Sequence, residues 1–182
     1  MPTHAMLDQA SAWVCRFAAL VPAPGQVLDV ACGGGRHARY LAERGLSVEA
    51  VDRDAGALAA LAKVAGVRTR CADLENGPWP YEGQQFHAVV VTNYLHRPLF
   101  PALLRSLLPG GVLIYETFMV GHERFGRPTN PDFLLRPGEL LEVIDRELTP
   151  VAFEQGQVSW PRAAMMQRLC AVNGAGPVML PE

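Results

Sequence analysis

The chain has 182 residues, of which 49% are hydrophobic, and this suits one domain of ordinary size with a buried core. Its formal net charge of −2 offers no basic field to hold a phosphate backbone, so nucleic acid is not favoured as a partner. The four cysteines form no CxxC pair and stand at no zinc-ligand spacing, which indicates reduced thiols and no metal site. Because no apolar run reaches the ~18 residues of a membrane helix, we expect a cytoplasmic protein without a membrane partner.

Hydrophobic periodicity predicts alternating helices and strands in the first half of the chain. A helix over residues 10–20 lies in an N-terminal helical extension, residues 1–25. Residues 26–31 (QVLDVA) form a nearly continuous apolar run, which predicts a strand buried on both faces. A glycine-rich turn follows, and the pattern then predicts a helix over 36–44, a strand over 47–51, a helix over 54–64 and a strand over 67–71.

The second half of the chain continues the alternation. It predicts strands over 87–92 and 112–117, a helix ending at 108, a helix over 137–145, and two late strands over 148–154 and 164–172. This order specifies a single domain over residues 1–182. We expect an α/β fold, Rossmann-like and doubly wound, with a mostly parallel seven-stranded sheet and helices on both faces. In such sheets ligands bind at the carboxyl ends of the strands.

The glycine-rich turn admits two kinds of ligand. Gly33, Gly35 and Ala38 satisfy the G-x-G-x-x-A pattern of dinucleotide-binding enzymes, and Asp52 follows about 20 residues later, where such enzymes place a ribose-binding acid. An NAD(P)-dependent oxidoreductase is therefore one alternative.

Three other features favour a different ligand. Asp29 lies inside the first strand, where a buried charge is costly unless something pairs with it. Asp73 follows the third strand, where it could accept a hydrogen bond from an adenine amino group. No second domain is left to supply a hydride acceptor site. Together these features describe a ligand with an amino-acid end, a ribose and an adenine.

The motifs around these acids resemble those of class I methyltransferases that use S-adenosylmethionine (SAM), in particular the small tellurite-resistance-type enzymes. The similar segments are DVACGGGR (29–36), VEAVD (48–52), ADL (72–74) and PGGVLIYETF (109–118). The resemblance implies SAM as the cofactor and methyl transfer as the activity. The cofactor residues that it implies are Asp29, Ala31, Gly33 and Gly35 at the methionine end, Asp52 at the ribose, Asp73 and Leu74 at the adenine, Arg53 at the rim and Asn93 on the pocket floor.

The residues after the fourth strand are candidates for the acceptor side. Tyr94 could place its ring near the sulfonium, His96 could accept a proton as a general base, and Arg97 could bind the acceptor. Packing of Tyr94 and exposure of His96 are the alternatives. Because the chain has no second domain to provide a large specificity surface, a small-molecule acceptor is favoured.

Residues 119–136 form a long stretch without periodicity between the fifth strand and the next helix. Long irregular loops at this edge of a sheet are usually functional or disordered. We therefore expect a substrate lid in which Arg124 and Arg127 recognise an anion, the alternative being charged residues that simply solvate a loop. A third possibility for the whole chain is a SAM-binding protein without catalytic activity.

Overall fold

The computed structural model describes residues 9–145, 147–175 and 178–181. Seven strands form one sheet in the order β3-β2-β1-β4-β5-β7-β6, and β7 runs antiparallel to both of its neighbours. The strands are β1 (Gln26–Val30), β2 (Ser47–Asp52), β3 (Val67–Cys71), β4 (Phe86–Thr92), β5 (Leu107–Phe118), β6 (Thr149–Val158) and β7 (Ala164–Val172). The mostly parallel, seven-stranded architecture predicted from the sequence is confirmed.

Helices cover both faces of the sheet. They are α1 (Ala12–Phe17), α2 (Arg36–Glu43), α3 (Ala55–Ala59), α4 (Phe100–Arg105) and α5 (Glu139–Val143), with 3₁₀ turns at Ala18–Leu20, Arg97–Leu99, His122–Arg124 and Pro131–Phe133. Phe17, Leu41 and Leu58 of α1, α2 and α3 pack in one apolar layer. Leu103 and Leu140 of α4 and α5 pack in the other. The central strand β1 is buried on both sides from Val27 to Val30, as its apolar run predicts.

Several elements differ in extent from the prediction. The helix predicted over 54–64 ends at Ala59, after which the chain continues through turn bonds such as Leu61 N–H to Leu58 C=O. Strand β5 begins at Leu107 rather than at 112, because Leu107 pairs with Phe86 across a bulge that absorbs the Pro-Gly-Gly turn. Residues 1–8 of the predicted N-terminal extension lie outside the described residues.

Parallel pairing brings the tips of β1, β2, β3 and β4 to one edge of the sheet. The residues just beyond these tips begin at Ala31, Arg53, Ala72 and Asn93. Every cofactor residue predicted from the sequence is therefore at or near this edge. Over the ranges described above, no helix is both long and apolar enough to span a membrane.

Candidate active site

The loop after β1 has a backbone conformation that side chains usually disfavour. Ala31, Gly33 and Gly35 have φ angles of 52°, 53° and 73°, in the left-handed region. Asp52 at the tip of β2 holds this loop, since its Oδ2 accepts a 2.8 Å hydrogen bond from the Gly33 N–H. A Cβ added at Gly33 or Gly34 would meet nothing within 4 Å. The loop therefore presents bare backbone to open space, where a ligand can approach closely.

Gly35 has a packing role at the start of α2. It is the N-cap of α2, and a Cβ at this position would lie 2.3 Å from Leu61 Cδ1. It is not among the residues that line the cavity beside the loop. Gly35 thus allows α2 to pack against the α3 region, and its place at the methionine end of a cofactor stays a prediction.

Asp29 is fully buried beneath this loop. Loss of solvent raises the pKa of its carboxyl to about 7, and the Ala38 N–H and Arg36 lower it only in part. Neither carboxylate oxygen has a partner of hydrogen-bond geometry in the described part of the chain. Asp29 also lines none of the cavities described below. Asp29 therefore lies beneath the loop and outside the three cavities, and its contact with the methionine end of a cofactor stays a prediction.

A first cavity, which we call the strand-tip cavity, lies at the ends of β1 to β4. It is lined by Ala31, Asp52, Arg53, Ala72, Asp73, Leu74, Glu75, Asn93 and Tyr94. Leu74 supplies a buried apolar wall, whereas Arg53 is exposed at the rim. The structure thus brings six of the nine predicted cofactor residues into one cavity.

Asp73 is engaged in its own turn. Its carboxylate accepts hydrogen bonds from the Asn76 side-chain amide at 3.0 Å and from the Glu75 and Asn76 N–H groups at 2.9 and 3.2 Å. These bonds, the Asn76 side chain first, lower the pKa of Asp73. A carboxylate offers about four lone-pair sites, so Asp73 can cap its turn and still accept one more hydrogen bond from the cavity.

Tyr94 and His96, the two candidates for the acceptor side, differ in their relation to the cavities. Tyr94 lines the strand-tip cavity, and its hydroxyl is buried without a hydrogen-bond partner in the described structure. Burial raises the pKa of Tyr94 and so keeps it protonated at neutral pH. The Tyr94 carbonyl is fixed by the Tyr115 hydroxyl at 2.9 Å. His96 is half-buried and lines none of the three cavities at this edge. The role expected of Tyr94 beside a cofactor and that expected of His96 as a base both stay predictions.

A second cavity, the loop cavity, opens beside the glycines. Its lining residues are Ala31, Cys32, Gly33, Gly34, Arg36, His37, Arg39, Thr92, Asn93 and Arg162. Burial lowers the pKa of His37 to about 3, so this imidazole stays neutral. Because its Nε2 accepts the Ser11 N–H, its Nδ1 carries the proton and donates to Thr92 Oγ1 at 3.2 Å. His37 thereby ties the N-terminal segment to the tip of β4.

A third cavity, the hairpin cavity, has a volume of about 120 Å³. The N-terminal segment, the end of β5 and the β6–β7 hairpin enclose it, with lining residues Gln9, Ala10, Ser11, Ala12, Arg36, Asn93, Glu116, Phe118, Val158, Trp160, Pro161, Arg162, Ala164, Met166 and Arg168. Glu116 is buried there and pairs with Arg168 Nε at 3.2 Å, while Arg168 also reaches Glu154. Asn93, whose φ is 53°, borders this cavity and both of the others.

Sequence reasoning missed the hairpin cavity. Glu116 lies on β5, Arg162 in the turn between β6 and β7, and Arg168 on β7, and β5 is distant from the other two along the chain. A signal was present in Glu116, a charged residue within an apolar strand that requires a partner. The identity of that partner depends on the β5–β7 register, in which Glu116 lies opposite Arg168.

The predicted lid is anchored at both ends. Leu135 forms a bridge to Met119, and its N–H donates to the Phe118 carbonyl at 3.0 Å. The Arg97 guanidinium donates hydrogen bonds to the backbone carbonyls of Asp132 and Leu134. Arg97 also pairs with the buried Glu139 at 2.7 Å, so it fastens this segment, and it lines none of the strand-tip, loop and hairpin cavities.

The two arginines expected to recognise an anion are exposed on the same segment. Arg124 lies over the Phe125 ring and donates to the Gly121 carbonyl. The Arg127 backbone carbonyl is within hydrogen-bond distance of His122 Nε2, at 3.1 Å. Neither residue lines any of the three cavities, so the structure does not place them at the site.

Comparison with known proteins is consistent with this geometry. A methyltransferase-domain family matches residues 27–111, which include the glycine loop and the tips of β1 to β4. TehB of Haemophilus influenzae superposes with a TM-score of 0.74 over 90% of this chain and 62% of its own, at 18% identity. Residues 27–111 thus resemble a methyltransferase domain, and the chain shares the fold of SAM-dependent methyltransferases.

Two further proteins are similar to this chain, one in sequence and one in fold. The YqeM protein of Bacillus subtilis, which is named as a methyltransferase, is 30% identical over 125 residues. That alignment covers 63% of this chain but only 49% of YqeM, so the chain spans about half the length of this curated relative. A SAM-dependent methyltransferase from Mesorhizobium loti matches in fold over 91% of this chain and 99% of its own, with a TM-score of 0.68 and 18% identity.

Proposed function

We propose that this protein transfers a methyl group from SAM to a small-molecule acceptor. The observation that carries the proposal is the position of Asn93, which borders the strand-tip, loop and hairpin cavities at once. A donor that occupies the first two cavities would meet an acceptor from the third beside this residue.

The residues present fit SAM. The bare backbone at Gly33 and Gly34 leaves room for the methionine end. Asp52 has lone pairs to spare beyond its bonds to Gly33 and Asp54 and is placed for ribose hydroxyls. Leu74 and the remaining lone pairs of Asp73 suit an adenine ring and its amino group. When bound, the cofactor supplies a sulfonium whose methyl group has an excellent leaving group.

The contribution of the chain is placement. A methyl transfer needs the acceptor atom in line with the departing sulfur, and fixing two reactants in this way can remove several kcal/mol from a barrier. Such a reaction requires a base only if the acceptor keeps its proton at neutral pH. The absence of a histidine or tyrosine base from the described lining of the hairpin cavity is therefore compatible with methyl transfer.

The hairpin cavity indicates the size and character of the acceptor. Its volume of about 120 Å³ is similar to the roughly 150 Å³ of an engineered cavity that accommodates benzene. Phe118, Ala164 and Met166 form an apolar side, and Glu116 with Arg168 forms a polar side. We infer a small acceptor, or an acceptor group of that size, with an apolar part and a polar part.

Transfer of label from methyl-labelled SAM tests this function. The purified protein is incubated with a cell extract separated into small-molecule and macromolecular fractions. We expect labelled product only in the small-molecule fraction. Label in protein or nucleic acid would contradict the acceptor class, and no label in either fraction would favour a SAM-binding protein without activity.

A cavity-filling variant links the product to the proposed acceptor site. Ala164 is buried beside the hairpin cavity, and Ala164→Leu would occupy part of it. We expect labelled product to fall at least tenfold, while calorimetry gives a dissociation constant for S-adenosylhomocysteine (SAH) within twofold of the original protein. Unchanged product formation with this variant would show that the acceptor binds elsewhere.

A further inference from the structure

The loop cavity is rich in cations. Arg36, Arg39 and Arg162 all line it, and no aspartate or glutamate is among its described lining residues. Two of these arginines come from α2, whereas Arg162 comes from the turn between β6 and β7. A cavity lined in this way favours an anionic ligand, because opposite charges attract more strongly where solvent is partly excluded.

The three arginines differ in the interactions they already make. Arg39 donates a 2.7 Å hydrogen bond to the Ala60 carbonyl. The charge of Arg36 lowers the pKa of both Asp29 and His37. Arg162 lies 5.6 Å from the centre of the Phe118 ring and makes no hydrogen bond or ion pair with the residues the structure describes. Its planar fork of donors is therefore available to a ligand.

Arg162 also connects two cavities, since it lines the hairpin cavity as well as the loop cavity. The Phe118 ring lies against one face of the guanidinium, and the N–H groups along its edge can bind a ligand. A carboxylate matches that edge with two parallel hydrogen bonds, a geometry in which arginine is preferred.

We propose that Arg162 is a carboxylate-binding residue of the active site and that the β6–β7 hairpin positions it there. The inference rests on the proposed function, because the donor that this function requires ends in a methionine carboxylate. That carboxylate is the expected ligand of Arg162 in the loop cavity. A carboxylate on the acceptor, bound from the hairpin cavity, has the same chemistry and is distinguished by the experiment.

The position of Arg162 has a functional consequence. The same hairpin that binds the donor carboxylate forms the wall of the hairpin cavity through Val158, Trp160 and Ala164. Binding of the donor would therefore order the wall against which the acceptor packs. Arg124 and Arg127, predicted from the sequence to recognise an anion, are replaced in this role by an arginine about 40 residues further along the chain.

Calorimetry on the full chain with two nucleosides tests the assignment. SAH carries the amino-acid carboxylate, and 5′-methylthioadenosine has the same nucleoside and thioether without it. We expect Arg162→Gln to weaken SAH binding about tenfold or more, as removal of a charged hydrogen-bond partner does, and to change methylthioadenosine binding less than twofold. The dissociation constant of SAH should also rise more steeply with salt in the original protein than in the variant.

Arg124→Gln is a matched control. Arg124 is also exposed and also lies over a phenylalanine ring, but it lines none of the three cavities. It should leave the binding of both nucleosides unchanged. If Arg162→Gln weakens both nucleosides equally, the effect comes from a disturbed hairpin and the proposal is overturned.

A third probe distinguishes the source of the carboxylate. Benzoate is titrated into the SAH-loaded protein. If Arg162→Gln leaves SAH binding intact but abolishes a benzoate binding seen in the original protein, the carboxylate site stands and belongs to the acceptor. If neither SAH nor benzoate responds to the substitution, Arg162 binds no carboxylate. Failure of the original protein to bind either nucleoside would instead remove the proposed function, and this inference with it.

Discussion

At the scale of single residues, Asp52 connects the tip of β2 to the glycine loop. One carboxylate oxygen accepts the Gly33 N–H at 2.8 Å, and the other accepts the Asp54 N–H at 2.9 Å. The same carboxylate lines the strand-tip cavity. Asp52 therefore shapes the loop, and in the proposed function its remaining lone pairs would bind a ribose.

Asp52→Asn should weaken SAH binding by about 10- to 100-fold, since hydrogen bonds to a charged group contribute roughly 1.5–3 kcal/mol. Isothermal calorimetry measures the change. Asp54→Asn is the control, because asparagine caps a helix as well as aspartate and Asp54 is exposed beyond the cavity. Equal weakening by both substitutions would argue against a specific role for Asp52.

Asp29 gives the protein a pH-dependent stability. Its pKa rises from an ordinary value of 3.8 to about 7 in the folded state, because burial disfavours the charged form. Between these values the folded chain holds a proton that the unfolded chain has released. The contribution of Asp29 to the free energy of unfolding is therefore full below about pH 4 and declines as the pH rises to about 7.

Asp29→Asn removes this titration. Between pH 4 and pH 8 the free energy of unfolding of the original protein should fall relative to that of the variant, by a few kcal/mol at most. Urea unfolding at several pH values measures the difference between the two proteins. A difference that stays constant with pH would show that Asp29 does not titrate in this range.

At the scale of elements, Arg97 fastens the segment 119–136 to α5. Its guanidinium meets the buried Glu139 and two backbone carbonyls of the segment. Burial alone would raise the pKa of Glu139, but hydrogen bonds from Arg97 and the Arg136 N–H outweigh it and lower the pKa. The segment is thus held by an ion pair of which one partner is almost fully buried.

Arg97→Gln should lower the free energy of unfolding by about 2–4 kcal/mol, because it leaves a buried carboxylate poorly compensated. Arg136→Gln removes a second arginine that contacts Glu139, but the Arg136 side chain is 67% exposed, and its loss should cost less than ~1 kcal/mol. Urea unfolding distinguishes the two. Similar losses from both variants would contradict the assigned role of Arg97.

The start of α2 depends on the absence of a side chain at Gly35. Gly35 and Gly45 both have positive φ, at 73° and 82°, but only Gly35 would place a Cβ against a neighbour, Leu61. Gly45→Ala should cost about 1–2 kcal/mol from backbone strain alone. Gly35→Ala should cost at least twice as much when the two are compared by thermal unfolding, and equal costs would mean that Leu61 moves aside freely.

At the scale of the whole molecule, the sequence was enough to predict most of the fold. Continuous apolar runs such as residues 27–30 and alternating helical patterns were enough to predict the sheet, because burial on both faces leaves few other arrangements. The strand-tip cavity followed as well, since parallel strands bring their carboxyl ends to one edge.

The acceptor side could not be predicted in the same way. The pairing of Glu116 with Arg168 and the position of Arg162 follow from the antiparallel register of β7, and that register is set by contacts between distant segments. The local sequence also did not indicate that Arg97 would form an ion pair with Glu139. Charged residues near the site were therefore identified, but Arg162, which lines two of the cavities, was not among them.

The central claim is that the carboxyl edge of the sheet is built for an adenosyl amino acid rather than for a pyridine dinucleotide. Isothermal calorimetry of the full chain with SAH and, separately, with NAD tests it directly. We predict binding of one SAH per chain and no saturable heat with NAD. Saturable binding of NAD together with no binding of SAH would contradict the account.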